Sequence, residues 1–189
     1  MQYRLICEKI NRSLYRRTAI ERIQLTHPIL PVYDSRSEVL ILGSFPSVKS
    51  REAAFFYGHP QNRFWRVLAA LFDETPPETA EEKKALLLRR HIALWDVIGA
   101  CSIEGSSDAS IRDAVPNDLR PILACSGLRR IYTNGKTAAT LYRKYIEPEL
   151  GIPALCLPST SPANAAWTLE KLIEAWKRIL NEGGAPCIL

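Results

Sequence analysis

Val39-Leu-Ile-Leu-Gly43 is a short, wholly apolar run that stops on a glycine. Such a run reads as a strand buried on both faces, the habit of a parallel sheet. Outward from it, apolar runs and helical spacings alternate. Asn62–Phe72 has helical spacing through Trp65, Leu68 and Phe72, and a charged helix is expected from Ala80 to Arg90 after Pro76-Pro77. His91–Val97 reads as strand and Pro116–Ala124 as helix, with proline near its first turn. Arg130–Thr133 is a further strand, Lys136–Ile146 a helix and Pro153–Leu157 the fourth strand. A last amphipathic helix from Asn164 carries Leu169, Leu172, Ile173, Trp176 and Ile179 on one face. Four strands separated by helices predict a mostly parallel four-stranded sheet with helices on both faces. Ligands in such folds bind beyond the carboxyl ends of the strands, so the loops after Leu42, Val97, Thr133 and Leu157 are where chemistry is expected.

The chain has 189 residues, 47% hydrophobic and 24% charged, which suffices for one α/β domain with an appendage. No stretch reaches the ~20 apolar residues of a membrane span, and the opening residues lack the apolar run of a signal peptide. The five cysteines (Cys7, Cys101, Cys125, Cys156 and Cys187) are widely spaced with no C-x-x-C pair, so neither a metal nor another cofactor is expected. A cytoplasmic location follows from thiols of this kind. The net charge of +5 is concentrated at the start, where residues 1–37 hold seven Lys/Arg against three Asp/Glu. Residues 1–26 read as a basic N-terminal extension with a weak helical pattern, and 27–189 as the working domain. A second basic cluster, Lys49, Arg51, Arg63 and Arg66 against Glu52, surrounds the most unusual motif in the chain.

The first loop, Gly43-Ser-Phe-Pro-Ser-Val-Lys-Ser50, lacks both dinucleotide and P-loop glycine patterns. By itself it reads as an ordinary βα turn rich in hydroxyls. Next stands Ala53-Ala-Phe-Phe-Tyr-Gly-His-Pro-Gln-Asn-Arg-Phe-Trp65, with three consecutive aromatics in a loop. An aromatic there can stack on a nucleobase. Asn62 alone reads as a helix cap, His59 as a packed loop histidine and Arg63 as a solvated charge. In the last loop, Leu157-Pro-Ser-Thr-Ser-Pro-Ala-Asn164, two prolines stiffen a run of hydroxyls. It is either a turn capping the helix at Asn164 or a phosphate site.

Together these strings resemble the uracil-DNA glycosylase superfamily, and within it the hypoxanthine-DNA glycosylase (DNA-deoxyinosine glycosylase) branch. The residues that carry the resemblance are Val39–Ser47, Tyr57-Gly-His-Pro-Gln-Asn-Arg-Phe-Trp65, Leu94-Trp-Asp-Val97, Thr133–Ala138 and Leu157–Asn164. It spans about His27 to Leu180. It implies a three-layer α/β/α fold and a monofunctional, metal-free glycosylase that flips and hydrolyses deaminated bases, chiefly hypoxanthine, out of double- or single-stranded DNA. It further implies a monomer associated with the nucleoid. Mismatch-specific relatives carry a water-positioning Asn where this chain has Phe45, and in the deoxyinosine branch the Asn of the H-P-x-N string takes over. The resemblance therefore assigns catalysis to Asn62, which would orient the attacking water. It assigns base contacts to Gly43, Ser44, Phe45, Tyr57 and His59, with Tyr57 stacking on the extruded purine. DNA contacts fall to Ser47, Lys49, Arg63, Ser159, Ser161, Pro162 and Asn164. Ser159 replaces the His that assists uracil departure in uracil-specific relatives.

Three other readings stand beside this one. The chain could act mainly on uracil or xanthine in DNA, or be an inactive nucleotide- or DNA-binding domain of the same fold. A small-molecule hydrolase would use His59 as base and Ser44 as nucleophile, though no G-x-S-x-G elbow is present. Asp96, after Leu94-Trp95, reads as a loop-fixing carboxylate at a strand end. Lys49 and Lys136 are lyase nucleophiles only on paper, since no motif supports either.

Overall fold

The computed structural model describes residues 23–103 and 111–180. Four parallel strands form the central sheet: β2 (Val39–Gly43), β3 (Ile92–Asp96), β6 (Arg130–Asn134) and β7 (Ala154–Leu157), in the order β3-β2-β6-β7. This is the sheet expected from the apolar runs. Every residue of β2 is buried, because the strand lies inside the sheet with a covered face on each side.

Alternate β2 side chains feed two cores. Val39 and Ile41 pack beneath α2 (Phe64–Leu71), α3 (Ala80–Arg89) and α7 (Leu169–Trp176), among Phe64, Leu68, Leu87, Leu172 and Trp176. Leu40 and Leu42 face Ile122 of α4 (Arg120–Cys125) and Ala138 and Tyr142 of α5 (Lys136–Tyr145). Burial pushes the Tyr142 phenol above its ordinary pKa, so it remains a donor, to the Ile152 carbonyl at 2.8 Å. Two short helices, α1 (Val48–Glu52) and α6 (Glu147–Leu150), complete the set.

A second sheet was not anticipated. Strands β1 (Ile23–Thr26), β4 (Ile98–Ile103) and β5 (Arg112–Pro116) pair antiparallel in the order β1-β4-β5. The packed body thus begins before His27, since four residues assigned to the extension pair with β4, and Ile23 is extended rather than helical. Residues 1–22 lie outside the described residues. Pro116 closes β5, and the helix after it starts only at Arg120, with Pro121 in its first turn. The last helix likewise starts later, at Leu169. Thr168 is its cap and accepts from the Lys171 N–H, so Asn164 is released for another role. No helix among the described residues is long and apolar enough to cross a membrane.

Register is what prepares a site. Gly43 pairs with Asp96, Leu42 with Thr133, and Asn134 with Leu157. The carboxyl ends of all four strands therefore finish in one row. Leu172 is fully buried between this sheet and α2. Replacing it with Ala should cost about 2–5 kcal/mol, read as a lower urea midpoint at unchanged m-value.

Candidate functional site

At that row of strand ends lies a cleft of about 780 Å³, lined by Gly43–Ser47, Tyr57, Asn62, Asp96, Asn134 and the 156–164 loop. Of the residues expected here, Gly43, Ser44, Phe45, Ser47, Tyr57, Asn62, Ser159, Ser161 and Asn164 all line it. His59, Lys49, Arg63 and Pro162 are not on its wall.

Each of the four has a physical reason for standing elsewhere. The His59 Nδ1 accepts from the Gln61 N–H at 3.1 Å and its carbonyl accepts from the Asn62 N–H, so it builds the turn that delivers Asn62. His59 is absent from the cleft wall that holds Ser44, so the cleft does not bring the hydrolase pair of the two together. Lys49 is exposed and pairs with Glu52 one helical turn along α1. Pro162 only stiffens the loop between Ser161 and Ala163. Arg63 turns inward, against the expectation of a DNA contact. Its Nε donates to the Thr160 carbonyl at 3.2 Å and its Nη1 to the Trp167 carbonyl. Its Nη2 donates to the carbonyls of Ser161 and Asn164, at 2.5 and 3.2 Å. A planar fork of donors is suited to such a set of acceptors, and an ammonium is not.

The loop so gripped also braces itself. Asn164 Nδ2 donates to the Ser159 carbonyl at 2.9 Å, and the Ser159 hydroxyl accepts from the Ser161 N–H. Trp176, fully buried in α7, donates from Nε1 to the Pro158 carbonyl at 3.0 Å. Gly135 sits at φ 98°, and a Cβ there would lie 2.8 Å from the Ser159 Cβ, so only glycine lets β6 approach this loop.

Tyr57 stacks on Phe64 with ring centroids 4.0 Å apart, which fixes its ring plane beside the cleft. The preceding turn is held by the Trp65 Nε1, which donates to the Phe56 carbonyl, and by the Ser50 hydroxyl, which accepts from the Gly58 N–H.

Sequence reasoning missed His27 and undervalued Asp96. The His27 Nε2 lies 2.8 Å from Asp96 Oδ2, with both side chains almost wholly buried. His27 Nδ1 accepts from the Ile29 N–H at 3.1 Å, so the ring proton sits on Nε2 and is donated to the carboxylate. Phe45, Phe56 and Trp95 wall the imidazole. The other oxygen, Oδ1, lies over Gly43, where any Cβ would collide with it and would stand 3.1 Å from the Tyr57 hydroxyl. That contact explains the glycine that ends the first strand.

Thr160 and Asn134 were also passed over. Thr160 is fully buried; its hydroxyl is 2.9 Å from both Asn62 Oδ1 and Asn134 Nδ2. Asn62 Oδ1 accepts a second bond, from the Phe64 N–H at 3.0 Å, although the cap position of α2 expected at Asn62 is held by Arg63. Lys136, exposed at the start of α5, lines the cleft as well and adds a cation beside it.

Comparison with known proteins finds relatives over most of the chain. The family model of the uracil DNA glycosylase superfamily matches residues 30–180. A hypoxanthine DNA glycosylase of Methanosarcina acetivorans is 37% identical over 150 residues, covering 78% of this chain and 93% of the relative. Its counterpart in Methanosarcina barkeri is 33% identical over 141 residues, covering 71% and 85%. The solution NMR structure of a Methanosarcina acetivorans protein, proposed to be a uracil DNA glycosylase, superimposes with a TM-score of 0.69 at 31% identity. That match covers 84% of this chain and all of the other.

Arg63→Lys should release the 160–167 segment, lowering the melting midpoint and slowing whatever reaction the cleft supports by about tenfold or more, while leaving the sheet intact by circular dichroism.

Proposed function

The chain belongs to the uracil DNA glycosylase superfamily. On that premise we propose that it is a monofunctional DNA glycosylase, acting as a monomer, that flips deaminated nucleotides out of DNA and hydrolytically releases hypoxanthine. The observation that carries this reading is the cleft itself, where one carboxylate, one oriented amide and one fixed aromatic ring line a single space. The relatives named hypoxanthine DNA glycosylases support the choice of base.

A base inside a stacked duplex is out of reach, so the nucleotide must be extruded, at a cost of a few kcal/mol that is least for a badly paired lesion. Tyr57, backed by Phe64, offers its ring to the extruded purine. Asp96 supplies the discrimination. Its Oδ2 is occupied by His27, and its Oδ1 on the cleft wall is an acceptor. Hypoxanthine carries an N1–H donor where adenine has an acceptor, so the lesion gains a hydrogen bond at the carboxylate and adenine meets repulsion.

As the C1′–N9 bond breaks, positive charge grows on the sugar and negative charge on the purine. Asn62 stands at the centre of this step. Lys136 and the hydroxyls of Ser159 and Ser161 hold the backbone phosphates, on a loop braced by its own hydrogen bonds. The N3–H of uracil and the N1–H of xanthine would also suit Asp96, so all three lesions belong in the test.

Single-turnover incubation of end-labelled duplexes carrying deoxyinosine, deoxyuridine or deoxyxanthosine should give strand breaks at deoxyinosine only after alkali, and none with Asn62→Ala. A preference for deoxyuridine would overturn the choice of base, and binding without cleavage would overturn the enzyme. Asp96→Ala should lower kcat/KM on deoxyinosine by about 10- to 100-fold, the usual worth of a hydrogen bond to a charged group.

A further inference from the structure

One step beyond this is the orientation of the Asn62 amide. We propose that Thr160 and Asn134 are positioning residues that lock Asn62 with its oxygen inward, so that it serves the reaction as a hydrogen-bond donor and not as an acceptor for water. The inference rests on the glycosylase reading above.

Directions along the chain of bonds follow from which groups carry protons. The Thr160 N–H can only donate, and it meets an Asn134 side-chain atom at 3.0 Å, which must therefore be Oδ1. Asn134 then turns its Nδ2 to the Thr160 hydroxyl at 2.9 Å. A hydroxyl has one proton, and having accepted from Asn134 it sends that proton to Asn62 Oδ1, 2.9 Å away. The Phe64 N–H donates to the same Oδ1 at 3.0 Å. Two bonds fill the carbonyl's two lone pairs, so a flipped Asn62 amide would set N–H against N–H. Thr160 is fully buried and Asn134 is 9% exposed, so water cannot replace a broken link. Asn62 lines the cleft, and its Nδ2 has no partner among the described residues. The amide therefore presents two N–H groups to the extruded nucleotide.

Hydrolysis balances simply around such a donor. The C1′–N9 bond breaks with its electron pair passing to the purine, a water oxygen bonds to C1′, and the water proton ends on the released hypoxanthine. Charge spreads over N3, N7, N9 and O6 of the departing purine, all acceptors. An N–H held beside them binds the transition state more tightly than the ground state. A carbonyl oriented toward water would do the opposite work, and here it is already occupied.

The test compares Asn62→Asp, Asn62→Ala, Thr160→Val, Thr160→Ser and the Asn62→Ala/Thr160→Val double variant, on whichever deaminated base the wild type excises. Aspartate keeps the inward oxygen and replaces the donor by an acceptor. We expect Asn62→Asp to be as slow as Asn62→Ala, at least about 100-fold below wild type in single turnover. Thr160→Val should lose about 10- to 100-fold in rate with DNA affinity changed by about twofold or less, and Thr160→Ser should recover most of it. The double variant should be no slower than Asn62→Ala alone, because Thr160 acts through Asn62. An Asn62→Asp enzyme within about tenfold of wild type, or a Thr160→Val loss that adds in full to Asn62→Ala, would overturn the proposal. A readout independent of activity is the Asn62 side-chain NH2 pair in 15N spectra, assigned by its absence in Asn62→Asp. It should shift in Thr160→Val and return in Thr160→Ser; an unmoved signal would overturn the proposal even if the wild type cut no lesion.

Discussion

The Arg63 guanidinium is the joint on which the site depends. It belongs to the string that delivers Asn62, yet its donors end on the carbonyls of Thr160, Ser161, Asn164 and Trp167, about a hundred residues away. Two loops that leave different strands are thereby held as one wall. The guanidinium donors are spent on backbone acceptors of the 160–167 segment. Because Thr160 is caught between this grip and the buried Asn134, its hydroxyl has one place to point. The orientation of the Asn62 amide is thus inherited from a chain of backbone and side-chain bonds that starts at Arg63.

Behind the wall stands the sheet, whose in-register ends make the floor. Gly43 opposite Asp96 is the telling pair: the strand must lose its side chain there so that a carboxylate can lie across it. That carboxylate would be costly to bury alone, and His27 meets it from the segment that follows β1. The antiparallel sheet therefore has a functional consequence. By pairing with β4, β1 brings His27 to Asp96, helped by the His27 N–H, which donates to the Gly99 carbonyl at 2.6 Å.

How much of this was legible in the sequence depends on the range of the cause. Wholly apolar β2 and the amphipathic faces of α2 and α7 are local signals, and the central sheet and its helices followed from them. Asn62, Tyr57 and the 159–164 loop were legible through the strings that resemble a known family. The small sheet was not: β4 carries Gly99 and two register shifts against β5, and β5 is short and mostly exposed, so neither shows a clean alternation. His27 pairs with a residue 69 positions away and Thr160 with one 98 away, and nothing local marks such partners. Arg63 misled for a related reason. An arginine in a loop of a basic region looks solvated until the acceptors that surround it are known.

The central claim is that this cleft releases an intact hypoxanthine and leaves the DNA strand unbroken. Its most direct measurement is mass spectrometry of both products after a single turnover on a deoxyinosine duplex, with an adenine duplex alongside. The account predicts free hypoxanthine in equal amount to abasic strands of full length, and no base from the adenine duplex. Strands already cut without alkali, or adenine released as readily as hypoxanthine, would contradict it.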